Sequence, residues 1–168
     1  KRQYEKNGAK YIMMPGNAKR RHPALEERLA ALRDWAETAG VNQVEPGRDR
    51  AMGLIASSTS YQYVKEVCGD AYPVLKLGMI WPLPEKLIRD FAASVEKLVV
   101  VEELDGFIEE HCRNLGLDVV GKALFPAVGE LSQNLVAEKL GLPVIIHDRE
   151  AHGDSLAIVR EFPAVRGV

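Results

Sequence analysis

The stretch "VVVEELDGFIEE", Val99 to Glu110, decides how this chain folds. Its apolar head, extended backwards by Leu98 to "LVVVEE", offers no polar side to water. A strand made from it must be covered on both faces, as in a parallel sheet sheathed by helices. The acidic tail places five carboxylates, Glu102, Glu103, Asp105, Glu109 and Glu110, within nine residues. Oxygen ligands of this kind suit magnesium and calcium. The helical spacing of Phe107, Ile108, Cys112 and Leu115 argues for a different use. Asp105 stands at the start of that helix, where its carboxylate caps free backbone N–H groups, and Glu109 and Glu110 fall a turn later on the solvent side. Five acids distributed in this way do not converge, and no metal site is expected.

Outward from this stretch the pattern repeats. "AMGLIAS" and "PVLKLG" read as strands before it, "LDVVGK" and "PVIIHD" as strands after it. Between them, "STSYQYVKEVCG" reads as a helix with Ser or Thr at its N-cap and Gly69 at its end. "PEKLIRDFAASVEK" follows, with Pro84 in its first turn and an apolar stripe of Leu87, Ile88, Phe91, Ala92 and Val95. "GELSQNLVAEKLG" is a further helix. Strands alternating with helices predict an α/β fold, a three-layer α/β/α sandwich with a mainly parallel sheet of about five strands. In such sheets ligands approach the carboxyl ends of the strands, so "SSTSY", "GMIWPLP", "EELD" and "GKALFP" form the candidate surface.

Charge divides the chain. Of 22 basic and 24 acidic residues among 168, the first 50 positions hold 11 basic and 7 acidic, the remainder 11 and 17. The expected organisation is a basic linker arm plus one amphipathic helix over residues 1–50, an α/β domain over 51–147, and a C-terminal extension or linker over 148–168. The arm helix is expected from Pro23, with Leu25, Leu29, Leu32 and Ala36 on one face and Gly40 at its end. Lys19, Arg20, Arg21 and His22 lack the interleaved aromatics of a nucleic-acid surface and read as a solvated loop or subunit contact. Cys68 and Cys112 stand too far apart for a Cys-x-x-Cys motif, which excludes a cluster or structural zinc within the chain and predicts a reduced, cytoplasmic protein. No apolar run reaches the roughly 20 residues of a membrane span. The opening Lys1, without methionine, predicts an internal piece of a longer polypeptide.

Chemistry-bearing candidates at the strand ends are few. Ser57, Ser58, Thr59 and Ser60 stand where nucleotide-binding folds place a phosphate loop, and their hydroxyls with a helix N-terminus suit an anion. The glycines of G-x-G-x-x-G or G-x-x-x-x-G-K-S/T are missing, however. A stand-alone nucleotide- or flavin-binding module is therefore the alternative reading. No G-x-S-x-G elbow occurs, and His22, His111, His147 and His152 lie outside the strand-end loops, so no hydrolytic site and no catalytic residue is assigned. Trp81, between Ile80 and Pro82, is expected in an exposed loop.

"GLIASSTSYQYVKE", "LKLGMIWPLPEKLIRDFA", "VVVEELDGFIEE" and "GKALFPAVGELS", in this order and spacing, closely resemble the middle region of the large (alpha) subunit of indolepyruvate:ferredoxin oxidoreductases. "NAKRRHPALEERL" resembles the arm that precedes it there. The resemblance runs from about residue 9 to residue 142; Ser58 stands where glycine is expected and Gly106 where proline is common. It implies a domain resembling the transketolase C-terminal fold, within a thiamine-diphosphate-dependent enzyme that oxidatively decarboxylates arylpyruvates to aryl-acetyl-CoA and reduces ferredoxin. Thiamine diphosphate, magnesium and 4Fe-4S clusters are implied for the parent enzyme and none of them for this region. The implied partners are other domains of the large subunit, the small (beta) subunit, ferredoxin and coenzyme A, with no nucleic acid and no membrane. Two Gly-Asp pairs exist, but Gly153-Asp154 leaves too little chain for the asparagine of a thiamine motif, and Gly69-Asp70 runs straight into Pro73 and a strand. Ser57 to Ser60, Met79 to Pro84 and Glu102 to Asp105 are expected to face other domains or a second large subunit, with Trp81 at or near the contact.

Overall fold

The structure is a computed structural model that describes residues 3–144. In chain order its elements are α1 (Gly8–Tyr11), α2 (Pro15–Ala36), β1 (Gln43–Glu45), β2 (Gly53–Ser57), α3 (Ser58–Cys68), β3 (Val74–Leu77), α4 (Glu85–Ala92), β4 (Leu98–Val101), α5 (Phe107–Asn114), β5 (Val119–Val120) and α6 (Gln133–Leu140). The strands form one sheet in the order β1-β3-β2-β4-β5. β2, β3, β4 and β5 are parallel, and Ile55 lies in register between Leu75 and Val100. Period-two alternation then sorts the side chains. Leu54, Ala56, Val99 and Val101 meet Val64 and Cys68 of α3 and Val136 of α6 on one face. Ile55, Leu75, Leu98 and Val100 meet Ile88 and Phe91 of α4 and Ile108 and Cys112 of α5 on the other. These two cores, one per face, make the three layers, and each fully buried Val, Leu or Ile contributes roughly 1.5–3 kcal/mol.

The outer strand β1 is antiparallel to β3, with Val44 opposite Leu75. Its three residues are too short to show an alternation, and the sheet thereby takes its edge from upstream of residue 50. The expected strand "PVIIHD" lies mostly outside the described residues.

Local signals account for the ends of the helices. Gly69 closes α3 at φ +55°, and its N–H reaches the carbonyl of Lys65 at 2.9 Å. Ser132 caps α6 through its hydroxyl, which accepts the N–H of Leu135 at 3.2 Å. Helix α4 stops at Ala92 instead of running on to Lys97, because the Ser94 hydroxyl donates to the carbonyl of Phe91 at 2.7 Å and the chain turns there. Ser58, at the first position of α3, has φ +49°, a left-handed conformation that favours glycine.

Helix α2 begins eight residues before the expected Pro23. Pro15 takes the first turn, the carbonyl of Met14 accepts the N–H groups of Asn17 and Ala18, and Pro23 falls inside the helix. Both prolines suit a first turn, and the high helix propensity of Ala18, Lys19, Arg20 and Arg21 extends the helix back to the earlier one. Only Ala36 of this helix is buried. Two polar side chains just beyond it join the arm to the sheet domain. The Glu37 carboxylate accepts the N–H groups of Lys86 and Leu87 at 2.9 and 2.8 Å, capping α4. Buried Asn42 donates to the carbonyl of Ala36 at 3.0 Å and accepts from Gly78 and Met79 at 3.0 and 3.1 Å.

Asn42→Ala strands three main-chain groups and is expected to cost about 1–3 kcal/mol in chemical denaturation. Ser58→Gly relieves the left-handed backbone and is expected to raise stability by roughly 1 kcal/mol in the same measurement.

Candidate functional site

The carboxyl ends of β2, β3 and β4 bring three predicted loops onto one rim. A cleft of about 590 Å³ runs between the start of α3 and the end of β3, lined by Ser57, Ser58, Thr59, Tyr61, Lys76 and Gly78 among others. A second, of about 240 Å³, lies between Ser57 to Ser60 and the acidic loop of Glu102, Glu103 and Asp105. The four candidate hydroxyl residues are thus brought together: Ser58 and Thr59 are exposed, Ser57 is half-buried and Ser60 is buried. Trp81 is 58% exposed at the same rim and meets the Phe107 ring edge-on, with centroids 6.1 Å apart.

The acids of the opening stretch are placed differently from the sequence reading. Asp105 does not cap α5; its main-chain carbonyl accepts the N–H of Phe107 while its side chain is exposed. Glu102 provides the cap, accepting the N–H groups of Ile108 and Glu109 at 2.8 and 3.0 Å. The cause is the turn after β4. Leu104 adopts φ +56° and folds the loop back, so that Glu102, still in line with the strand, points at the helix N-terminus.

Glu109 is not on the solvent side either. It is buried, takes the Arg113 guanidinium at 2.7 Å on one oxygen and accepts the Lys122 N–H at 2.6 Å on the other. Gly121 makes this approach geometrically feasible, since a Cβ there would stand 2.5 Å from the Glu109 carboxylate. Glu103 accepts the N–H of Leu131 at 2.9 Å, and the Lys122 ammonium donates to the carbonyl of Glu102 at 2.6 Å. Among the acids of this stretch Glu110 keeps the predicted exposure.

Electrostatics follow from these bonds. Burial pushes the Glu102 carboxyl above its usual range, opposed by its two N–H donors. Burial acts the same way on Glu109, but the Lys122 N–H and the Arg113 guanidinium prevail and hold it below. At the other cleft Glu45 is held low by Lys65, 2.6 Å away, and by the Tyr61 hydroxyl. The same bond to Glu45 raises Tyr61, whose ring carries the Lys76 ammonium 4.6 Å from its centroid. Tyr61 closes the predicted "SSTSY" loop, whereas Lys76 and Glu45 did not figure among the sequence candidates. The visible signal was a lysine interrupting the apolar strand "VLKL".

Among the described residues the donors do not fit a cluster or a magnesium diphosphate. Cys68 and Cys112 sit in the two separate cores, and burial pushes their thiols up to about 11 and about 12. Asp70 of the Gly69-Asp70 pair is engaged by Arg48 at 2.7 Å, beyond the far end of α3. No group of three or more His, Cys, Asp or Glu among the described residues could hold a metal ion. His111 lies in neither cleft, its Nε2 3.8 Å from Glu85. His22 pairs with Glu26 on α2, and His147 and His152 lie outside the described residues. No helix among the described residues is long and apolar enough to cross a membrane.

No protein-family model matches this sequence. Among curated proteins, indolepyruvate oxidoreductase subunit IorA of Archaeoglobus fulgidus is 37% identical over 124 residues, covering 71% of this chain and 20% of that protein. The subunit IorA of Pyrococcus horikoshii is 32% identical over 161 residues, covering 88% and 25%. That of Thermococcus kodakarensis is 30% identical with the same coverage. The chain therefore spans a quarter or less of the length of these relatives. A 2-oxoglutarate:ferredoxin oxidoreductase from Magnetococcus marinus, solved with 2-oxoglutarate, coenzyme A and succinyl-CoA bound, shares the fold at a TM-score of 0.58 and 16% identity, over 77% of this chain and 23% of that one.

Glu102→Gln keeps one acceptor for two N–H donors and is expected to cost about 1–3 kcal/mol, whereas Asp105→Ala is expected within about 0.5 kcal/mol of wild type. The acids also give opposite pH signs. Glu109, with its depressed pKa, stabilises the fold above the ordinary glutamate range and loses that contribution as pH falls through the depressed value. Glu102, with its raised pKa, favours the fold below that range and loses the contribution as pH rises. Denaturation at a series of acidic pH values is expected to show less acid destabilisation in Glu109→Gln than in wild type.

Proposed function

Because this chain is a relative, over most of its length, of one segment of the indolepyruvate oxidoreductase IorA family, we propose that it is a non-catalytic middle domain of such an enzyme. The parent activity in this reading is thiamine-diphosphate-dependent. It oxidatively decarboxylates indolepyruvate and other arylpyruvates to aryl-acetyl-CoA and passes the electrons to ferredoxin. Thiamine diphosphate, magnesium and the 4Fe-4S clusters belong to other parts of the longer polypeptide, and a small subunit completes the assembly.

One observation carries the assignment of a scaffolding role. The carboxylates of the strand-end rim, Glu102, Glu103 and Glu109, each accept main-chain N–H groups from α5 or from the loops after β5. Groups spent on holding loops in place are not held for a substrate. The rim also exposes Ile80, Trp81, Leu104 and Phe107, an apolar set suited to burial against a neighbouring domain or a second large subunit. In that position the hydroxyls of Ser57 to Ser60 form one wall near the approach of coenzyme A or substrate. The hydroxyl-lined cleft with Lys76 beside it favours, as a second reading, a stand-alone nucleotide- or flavin-binding module.

Calorimetry of the 168-residue chain with thiamine diphosphate and magnesium is expected to show no saturable binding. A Kd tighter than about 100 µM, roughly −5.5 kcal/mol, would sink the non-catalytic assignment. Release of a flavin or nucleotide when the purified chain is denatured would establish the second reading instead.

A further inference from the structure

Helix α2 carries a surface separate from the strand-end rim. Along it Ala18, His22, Leu25, Leu29, Leu32 and Ala36 recur at alternating steps of four and three residues, the spacing of a coiled-coil seam. The sheet domain leaves this stripe largely open: Ala36 alone in the helix is buried, and Leu25 is 39% exposed. Pro23 removes one internal hydrogen bond from the helix, and packing of the stripe would add to the support that the helix propensity of its other residues gives it.

The positions flanking the stripe define the chemistry of what covers it. Lys19 and Arg33 follow seam residues, Arg21 and Arg28 precede them, and both borders are therefore cationic. Arg21 is engaged by the carbonyl of Lys10, and the flanking acid Glu26 faces His22 at 3.4 Å. Lys19, Arg28 and Arg33 have no ion-pair or hydrogen-bond partner among the described residues. Parallel pairing with a second α2 would set Arg28 against Arg33, which repels. A helix bordered by carboxylates would satisfy all three.

We propose that the α2 seam is a docking site for an amphipathic helix, from outside this chain, whose apolar stripe is bordered by Asp and Glu. The test uses the whole chain in a Trp81→Phe background, so that Trp35, at the last flanking position of the seam, reports binding by fluorescence. Two synthetic three-heptad helices serve as probes, both with Leu on the seam, one with Glu and the other with Lys at every flanking position. The Glu probe is expected to bind about tenfold or more tightly than the Lys probe at low salt, with the difference shrinking as salt rises. Arg28→Glu with Arg33→Glu is expected to invert the preference, and Leu25→Asp with Leu29→Asp to abolish binding while the circular dichroism of the sheet domain persists. Equal affinity for both probes, or binding of neither, overturns the proposal. A concentration-dependent dimer in sedimentation that Leu25→Asp abolishes also overturns it, by assigning the seam to a second copy.

Discussion

β2 and β4 run side by side through the middle of the sheet without a polar face between them. Leu54, Ile55 and Ala56 and, opposite them, Val99, Val100 and Val101 are wholly buried. Strands of this kind are stable only between two layers, and parallel neighbours can be joined only by crossovers long enough to supply those layers. The pairs α3 and α6, and α4 and α5, follow from that requirement. So does the rim, since every crossover leaves the sheet from the same edge and its first residues gather there. The likeness to the 2-oxoglutarate:ferredoxin oxidoreductase is a likeness of this arrangement.

At the rim, the loops are held by carboxylates in the place of regular structure. Glu102 holds the start of α5, Glu109 holds the turn at Gly121 and Lys122, and Glu103 holds Leu131, so three separate stretches of chain are fixed around the end of β4. Charged acceptors make strong bonds to main-chain N–H groups, and they add to the anchoring that Ile108, Phe125 and Leu131 provide by burial in the two cores. The exposed ring pair of Trp81 and Phe107 stands at this rim.

Much of this was legible in the sequence, because it depended on periodicity. The strands at Leu54, Val74 and Val99, the Gly69 helix end, and the gathering of Ser57 to Ser60 beside the acidic loop all follow from local pattern. What local pattern does not show depends on tertiary direction. Asp105 has the better local position for a cap, but the left-handed turn at Leu104 gives that work to Glu102. Glu109 reads as solvated until Gly121, twelve residues on, leaves room for the main-chain N–H of Lys122 to reach it. β1 and the Glu45, Tyr61 and Lys76 grouping depend on contacts between segments far apart in sequence, and three residues such as Gln43 to Glu45 carry too little pattern to announce a strand. The extent of α2 is ambiguous for another reason: Pro15 and Pro23 are each acceptable as its first residue.

The two grips of Glu37 and Asn42 give the arm a mechanical meaning. A helix of 22 residues is roughly 33 Å long, and among the described residues the hydrogen bonds that tie this one to the sheet domain lie at a single end. It is a cantilever whose root is a set of hydrogen bonds to the first turn of α4 and to Gly78 and Met79. A sideways load at its tip is therefore delivered as torque to the loop that follows β3, which is one wall of the larger cleft.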